Sequence, residues 1–440
     1  MKPRPADMLQ KVGQGLTRLR GKVLTPATVK WLSRPSSVWW GFAVVHLYFL
    51  GWMMSFILKG EMFSDTLQYR EWAVNGANPG NGEASISPWV YPALAQLPIY
   101  FSNIAGPDHY LLVWTLMITA LNAVALAYLI RGGRRPEGIA PAWWWLGFTV
   151  FMGYLSFARV EGITAPIVLI ALLFAARRPA VAAVLLSIAT WIKVSPAAVL
   201  LPILIASRDR VKIIAAGIAV SAAVVVGTYW AGGISHLFDF LTNQGERGMQ
   251  LEATFSTPWL WLSVLNIGDA KIADNVAINS SEVYGPGVSI AAVLMQPLFL
   301  VAVAAGAVLL MWALHRGAER EELFLEGALM MTAAFIVFNK VGSPQFIIWL
   351  APVVVAGLTH DWNRWKVPGA LLMSIAALTF VIYPLFYTPL IHGHPLIALV
   401  LTARNVLLVV LLYWSVQRTL ELAARKGRPV EAAAAGRSQD

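Results

Sequence analysis

The chain has 440 residues, of which 58% are hydrophobic and 13% charged, and it carries a formal net charge of +10. Long apolar runs with so few charges belong to a membrane protein, where the placing of Lys and Arg along the chain carries the information and their sum does not point to nucleic acid. With no cysteine, disulfides, thiolate metal sites and cysteine nucleophiles are all excluded.

In chain order, a basic segment over 1–36 precedes the first apolar run, which lacks a small-residue cleavage site and reads as a retained helix. A spanning helix needs roughly 20 apolar residues. Residues 38–58, 110–130, 213–230 and 288–314 approach or exceed that length with few or no charges. The predicted helices are 37–58, 109–130, 140–158, 162–176, 179–192, 195–207, 211–231, 287–314, 323–339, 345–358, 367–388 and 395–416. The fold class is therefore all-α, a polytopic membrane protein of about twelve transmembrane helices. An amino terminus placed in the cytoplasm puts the carboxyl terminus there too, with 25 of the 33 Lys and Arg on the same side, as the positive-inside rule requires.

Eight basic residues are left over: Lys59, Arg70, Arg159, Lys193, Arg247, Lys271, Lys340 and Arg404. Topology does not need them, so they become functional candidates. Arginines at 177, 178, 208 and 210 flank residues 179–207 on both sides, so this stretch should enter and return as a hairpin. Each arm reaches roughly 20 Å at 1.5 Å per residue, which puts Lys193-Val194-Ser195-Pro196 at the apex. Segments 59–108 and 232–286 are too long and polar to be simple connections and are expected outside, with interfacial helices. The tail, 417–440, reads as cytoplasmic, basic and disordered. No internal repeat is present, which weighs against inverted-repeat transporters.

Several constellations could carry chemistry. Soon after the first helix, a surface helix would place Asp65, Gln68, Tyr69 and Trp72 on one face. Asp65 then has two readings, a carboxylate that takes a proton from a hydroxyl or a helix cap shared with Ser64. Ser87-Pro88-Trp89-Val90-Tyr91-Pro92 reads as an interfacial anchor or a platform for sugar rings. Arg159 and Glu161, two apart in a short turn, read as a salt bridge to one another or as substrate contacts. Lys193 and Arg404 lie in the hydrocarbon region, where a cation needs an anionic partner, and a donor phosphate would supply it. Glu326 is an alternative protein partner for Arg404. Arg247, Gln250 and Glu252 in the second outer loop, with Lys340 and Gln345 in a later turn, form a further candidate binding surface. His392 and His394 lack a convincing third ligand for a metal.

Taken in order, Asp65, the Trp191-Ile192-Lys193-Val194-Ser195-Pro196 apex, Arg247-Gly248-Met249-Gln250-Leu251-Glu252, Ser343-Pro344-Gln345-Phe346 and Arg404-Asn405 resemble glycosyltransferase family 87. The resemblance covers 37–416 as one GT-C-like transmembrane catalytic domain. It implies an integral-membrane enzyme that moves a sugar, mannose by preference, from a polyprenyl-phosphate donor to a glycolipid or lipoglycan acceptor. Transfer would occur on the extracytoplasmic face of the plasma membrane, with inversion and without a cofactor or catalytic metal. The family's essential aspartate carries over to Asp65 as general base. An arabinofuranosyltransferase of the same type, a flippase for lipid-linked glycans and an envelope scaffold are the competing readings. Glu161 stands where the family is expected to have an amide, which leaves its role open.

Overall fold

The computed structural model describes residues 25–76, 89–240, 248–275 and 280–424. A short helix, α1 (Pro26–Leu32), leads into α2 (Pro35–Lys59), which starts on a proline and stops where Gly60 turns left-handed at φ +64°. Proline at the first helical position and glycine just past the last are the residue types these places favour. The first loop then holds α3 (Asp65–Asn75) and α4 (Gln96–Phe101). Next come α5 (Tyr110–Ile130), α6 (Ile139–Met152), the single turn α7 (Leu155–Ala158), α8 (Glu161–Ala175), α9 (Pro179–Ile192), α10 (Ala197–Ala206) and α11 (Arg210–Trp230).

The second loop carries α12 (Thr257–Val264) and an antiparallel hairpin, β1 (Lys271–Asn275) with β2 (Ser280–Tyr284), which pairs Lys271 with Tyr284. The chain closes with α13 (Val288–His315), α14 (Arg320–Val337), α15 (Ala351–His360), α16 (Trp362–Phe380), α17 (Tyr387–Ile391) and α18 (Pro395–Ala424).

All twelve predicted segments contain helix, and the protein is an all-α polytopic membrane protein apart from the small hairpin. Among the described residues, six helices are long and apolar enough to cross a membrane alone: Pro35–Lys59, Pro107–Ile130, Arg210–Trp230, Val288–His315, Trp362–Leu385 and Pro395–Ala424. The others are shorter or interrupted, for identifiable reasons. The segment expected at 140–158 breaks at Gly153, where φ is +60°. The segment expected at 345–358 begins as a 3-10 turn, Pro344–Leu350, before α15. Helix α14 carries Arg320, Glu321, Glu322 and Glu326 near its start, and the bundle shields it from lipid. It is buried along nearly its whole length and packs on α10, α13, α15 and α18.

Residues 179–207 form the expected hairpin, with α9 and α10 packed together and the helix broken at Lys193–Pro196. Helix α9 also packs on α8 and α11, while the 3-10 turn Ala93–Ala95 of the first loop rests on α9. The apex is thereby joined to the loop that carries Asp65.

Two expectations change. Helix α18 runs to Ala424, so 417–424, read as part of a disordered tail, is helical. Arg418 in that stretch pairs with Glu421 at 2.5 Å and approaches Glu326 at 3.9 Å. Glu326 therefore belongs to Arg418 and not to Arg404. The rest of the tail, the first 24 residues, Ser87, Pro88 and Arg247 lie outside the described residues.

Candidate active site

The turn into α3 brings Ser64 to φ 57°, ψ −146°, a region costly for a residue with a Cβ. Such strain persists only where surrounding packing enforces it. Ser64 makes no side-chain capping bond, so the cap reading of Asp65 has no support from its neighbour. The Asp65 carboxylate instead meets Arg159 Nη1 in a salt bridge and accepts from the Tyr69 hydroxyl at 3.4 Å. Both contacts fall on Oδ2. Oδ1 carries neither of them.

Glu161 faces another way. Its Oε1 is 3.2 Å from Lys193 Nζ and accepts from the Trp349 indole at 3.4 Å. Arg159 and Glu161 thus pair with Asp65 and Lys193 and not with one another, because the chain turns between them to begin α8. Gly162 makes that start possible, since a Cβ there would stand 2.3 Å from the Ser156 carbonyl oxygen.

Two tyrosines join the ion pairs. The Tyr69 and Tyr91 hydroxyls are 3.0 Å apart, and Lys193 Nζ lies 4.6 Å from the centre of the Tyr91 ring, within cation–π range. Burial pushes the Tyr69 phenol well above its usual range, with Tyr91 and Asp65 adding to the shift. Burial raises Tyr91 as well, against the pull of Lys193. Both phenols stay neutral donors at ordinary pH. Tyr69 and Trp72 lie in an aromatic core with Trp89, Tyr91, Tyr110 and Trp114, so Trp72 supports the site from behind and Gln68 beside it is half-buried.

Lys193 projects from the helix break into a cavity of about 620 Å³. Its walls are mostly apolar, including Val90, Phe240, Val293, Phe299, Phe335 and Phe346, and its polar side chains include Lys193, Ser195, Gln296, Asn339 and Lys340, with Tyr91 and Trp349 also on the lining. Val293, on the wall, is also strongly exposed on the outer surface of the bundle. An apolar chamber with a cation at one end suits a lipid whose head is anionic. Val90 and Tyr91 lead from it toward Tyr69 and Asp65.

The structure does not bring Arg404 to this cavity. Its guanidinium, on α18, donates to the Glu252 carbonyl at 2.8 Å, and the neighbouring Asn405 amide donates to the Ala253 carbonyl at 3.3 Å and to Thr257 Oγ1 at 3.1 Å. The expectation that Arg404 and Lys193 share one phosphate is therefore corrected, because Arg404 is 2% exposed and is engaged in holding the second loop. Burial raises the Glu252 carboxyl against the opposing Tyr387 hydroxyl and Arg404.

Gln250 is also a brace. Its backbone N–H donates to the Lys340 carbonyl at 3.0 Å, and its Oε1 accepts from Gly342 N–H at 2.9 Å and from Ser343 Oγ at 3.2 Å. Lys340 reaches the cavity from the turn so held. Gln345 is buried next to that turn. Near His392 and His394, no group of three His, Asp or Glu is poised for a metal among the described residues.

The sequence reading missed Trp349 altogether and took Tyr91 for an interfacial anchor. Tyr91 was partly legible as a possible sugar platform, but nothing local marks Trp349, which meets Glu161 across 188 positions of chain.

The sequence over residues 89–344 matches Glycosyltransferase family 87. The chain belongs to that family. The matched span of this family 87 glycosyltransferase contains Arg159, Glu161, Lys193, Gln250, Glu252 and Lys340, begins after Asp65 and ends before Gln345 and Arg404. No curated protein and no solved structure matches the chain.

Proposed function

We propose that this membrane glycosyltransferase moves a sugar, mannose by preference, from a polyprenyl-phosphate donor to a hydroxyl of a glycolipid or lipoglycan acceptor on the extracytoplasmic face. The observation that carries the reading is the apolar cavity ending at Lys193, beside the Asp65–Arg159 pair. The lipid chain would lie against the apolar walls, with its phosphate at Lys193 and Lys340 and the sugar directed toward Tyr91 and Asp65.

In the reaction, the acceptor oxygen forms a bond to the anomeric carbon while the bond from that carbon to the phosphate oxygen breaks. Its electron pair leaves on the phosphate, and the hydroxyl proton passes to Asp65. Attack opposite to the leaving group inverts the anomeric centre. Arg159 and Tyr69 hold Oδ2, so Oδ1 is the atom available to the hydroxyl. Preorganised cations at the leaving group and a fixed base are sufficient for such a transfer. No step uses a cofactor or a catalytic metal.

The test is to incubate the purified protein with labelled polyprenyl-phosphomannose and candidate glycolipid acceptors, with a polyprenyl-phosphoarabinofuranose donor in parallel. Labelled glycolipid from the mannose donor supports the proposal. Label from the arabinofuranose donor alone replaces the sugar, and transfer from neither donor overturns the reading.

A further inference from the structure

Lys193 lines the cavity and Glu161 does not. The carboxylate stands behind the lysine, 1% exposed, with Oε1 3.2 Å from Nζ. It cannot withdraw: Glu161 opens α8, whose next residue lies against the Ser156 carbonyl, and the Trp349 indole holds the same oxygen. Oε2 is buried and has no hydrogen-bond partner among the described residues. Any phosphate that reaches Lys193 from the cavity must share that cation with a fixed negative charge.

We propose that Glu161 is a positioning residue that weakens the hold of Lys193 on the leaving phosphate and so promotes release of the lipid phosphate product. The proposal rests on the functional reading above. Its basis is a difference in charge between the two ends of the reaction. The donor is a phosphodiester with one negative charge; the product is a monoester whose second proton has a pKa near 6, so it carries close to two charges at neutral pH. Repulsion from a fixed carboxylate grows in proportion to ligand charge, so it opposes the product about twice as strongly as the donor. The same lysine then holds the donor without trapping what is left of it.

Glu161→Gln tests this, because the amide can still accept from Lys193 and Trp349 while the charge is gone. Taking an effective dielectric of about 20 and a charge separation of roughly 7 Å, donor affinity should rise by about 50-fold and product affinity by about the square of that, on the order of 10³-fold. Affinity for the product is read as inhibition by added polyprenyl monophosphate, and affinity for the donor as its KM. The turnover number should fall as release slows, together with KM. Equal shifts for donor and product, no shift, or weaker binding of both overturn the proposal and leave Glu161 a structural brace.

Should Glu161→Gln fail to fold, Glu161→Asp decides. The charge stays and is drawn back from Lys193 by one methylene, so donor affinity should rise about twofold and product affinity about fourfold; an equal rise, no change or a loss of both overturns the proposal. Wild-type protein that transfers sugar while these variants show no charge-dependent selectivity overturns this inference alone. Wild-type protein that neither transfers sugar nor binds polyprenyl monophosphate overturns the functional reading along with it.

Discussion

Arg159 and Glu161 stand two residues apart, yet each pairs with a residue far along the chain, Asp65 and Lys193. The sequence singled out Arg159 and Lys193 as charges without a topological purpose, Asp65 as a base or a cap and Glu161 as a salt-bridge or substrate contact, and it placed Asp65 and Lys193 on segments that do meet. It could not show the crossing of partners, which depends on the turn before α8 and on Trp349 arriving from the other half of the molecule. Crossed pairs in a buried setting couple strongly, because removal of one partner leaves the other charge uncompensated. Lys193→Met should therefore cost ~3–5 kcal/mol of stability, and Lys193→Met with Glu161→Gln should recover most of it. Thermal unfolding in detergent reads the difference; a double variant as unstable as the single one would show that the pair does not set stability. Donor binding should be weakened in both.

Among the elements, the segment after Gly248 behaves as a strap. Leu251 N–H donates to the Ser281 carbonyl and Val283 N–H to the Met249 carbonyl, at 2.9 and 3.0 Å, while Arg404 and Asn405 hold it from α18. The strap in turn fixes the 339–343 turn that presents Lys340. A Cβ on Gly342 would stand 2.3 Å from Ala253 N and 2.4 Å from the Glu252 carbonyl carbon. Backbone cannot yield as a side-chain tip can, so Gly342→Ala should destabilise the protein by about 1–3 kcal/mol. It should also raise the donor KM, whereas unchanged unfolding and kinetics would show the strap to be unimportant.

The α9–α10 hairpin was legible from its flanking arginines, and the depth of Arg404 was legible from its place in the last helix. Its partner was not, since a backbone carbonyl 152 positions away leaves no mark on the sequence. The β hairpin at 271–284 was also missed. Its first strand, Lys-Ile-Ala-Asp-Asn, has no period-two alternation of apolar and polar residues, the signal by which a strand is read.

For the whole molecule, the arginine-rich ends of the helices and the loops carrying Asp65 should face opposite sides of the membrane. The absence of cysteine makes this direct to measure. Exposed Asn75→Cys should react with an impermeant maleimide on intact cells, and exposed Arg208→Cys only after permeabilisation; the reverse pattern would invert the topology. The apolar cavity between the bundle and the first loop joins these scales, since it needs the hairpin to carry Lys193, the loop to carry Asp65 and the strap to carry Lys340.

The central claim is that this family 87 enzyme transfers a lipid-linked sugar with Asp65 as its base, and the most direct measurement compares wild-type protein with Asp65→Asn. Sugar transfer from labelled polyprenyl-phosphomannose should fall by about 10²- to 10⁴-fold in protein that still folds and binds the donor, although loss of the charge opposite Arg159 lowers its unfolding temperature. Asp65→Asn protein that turns over at the wild-type rate would contradict it.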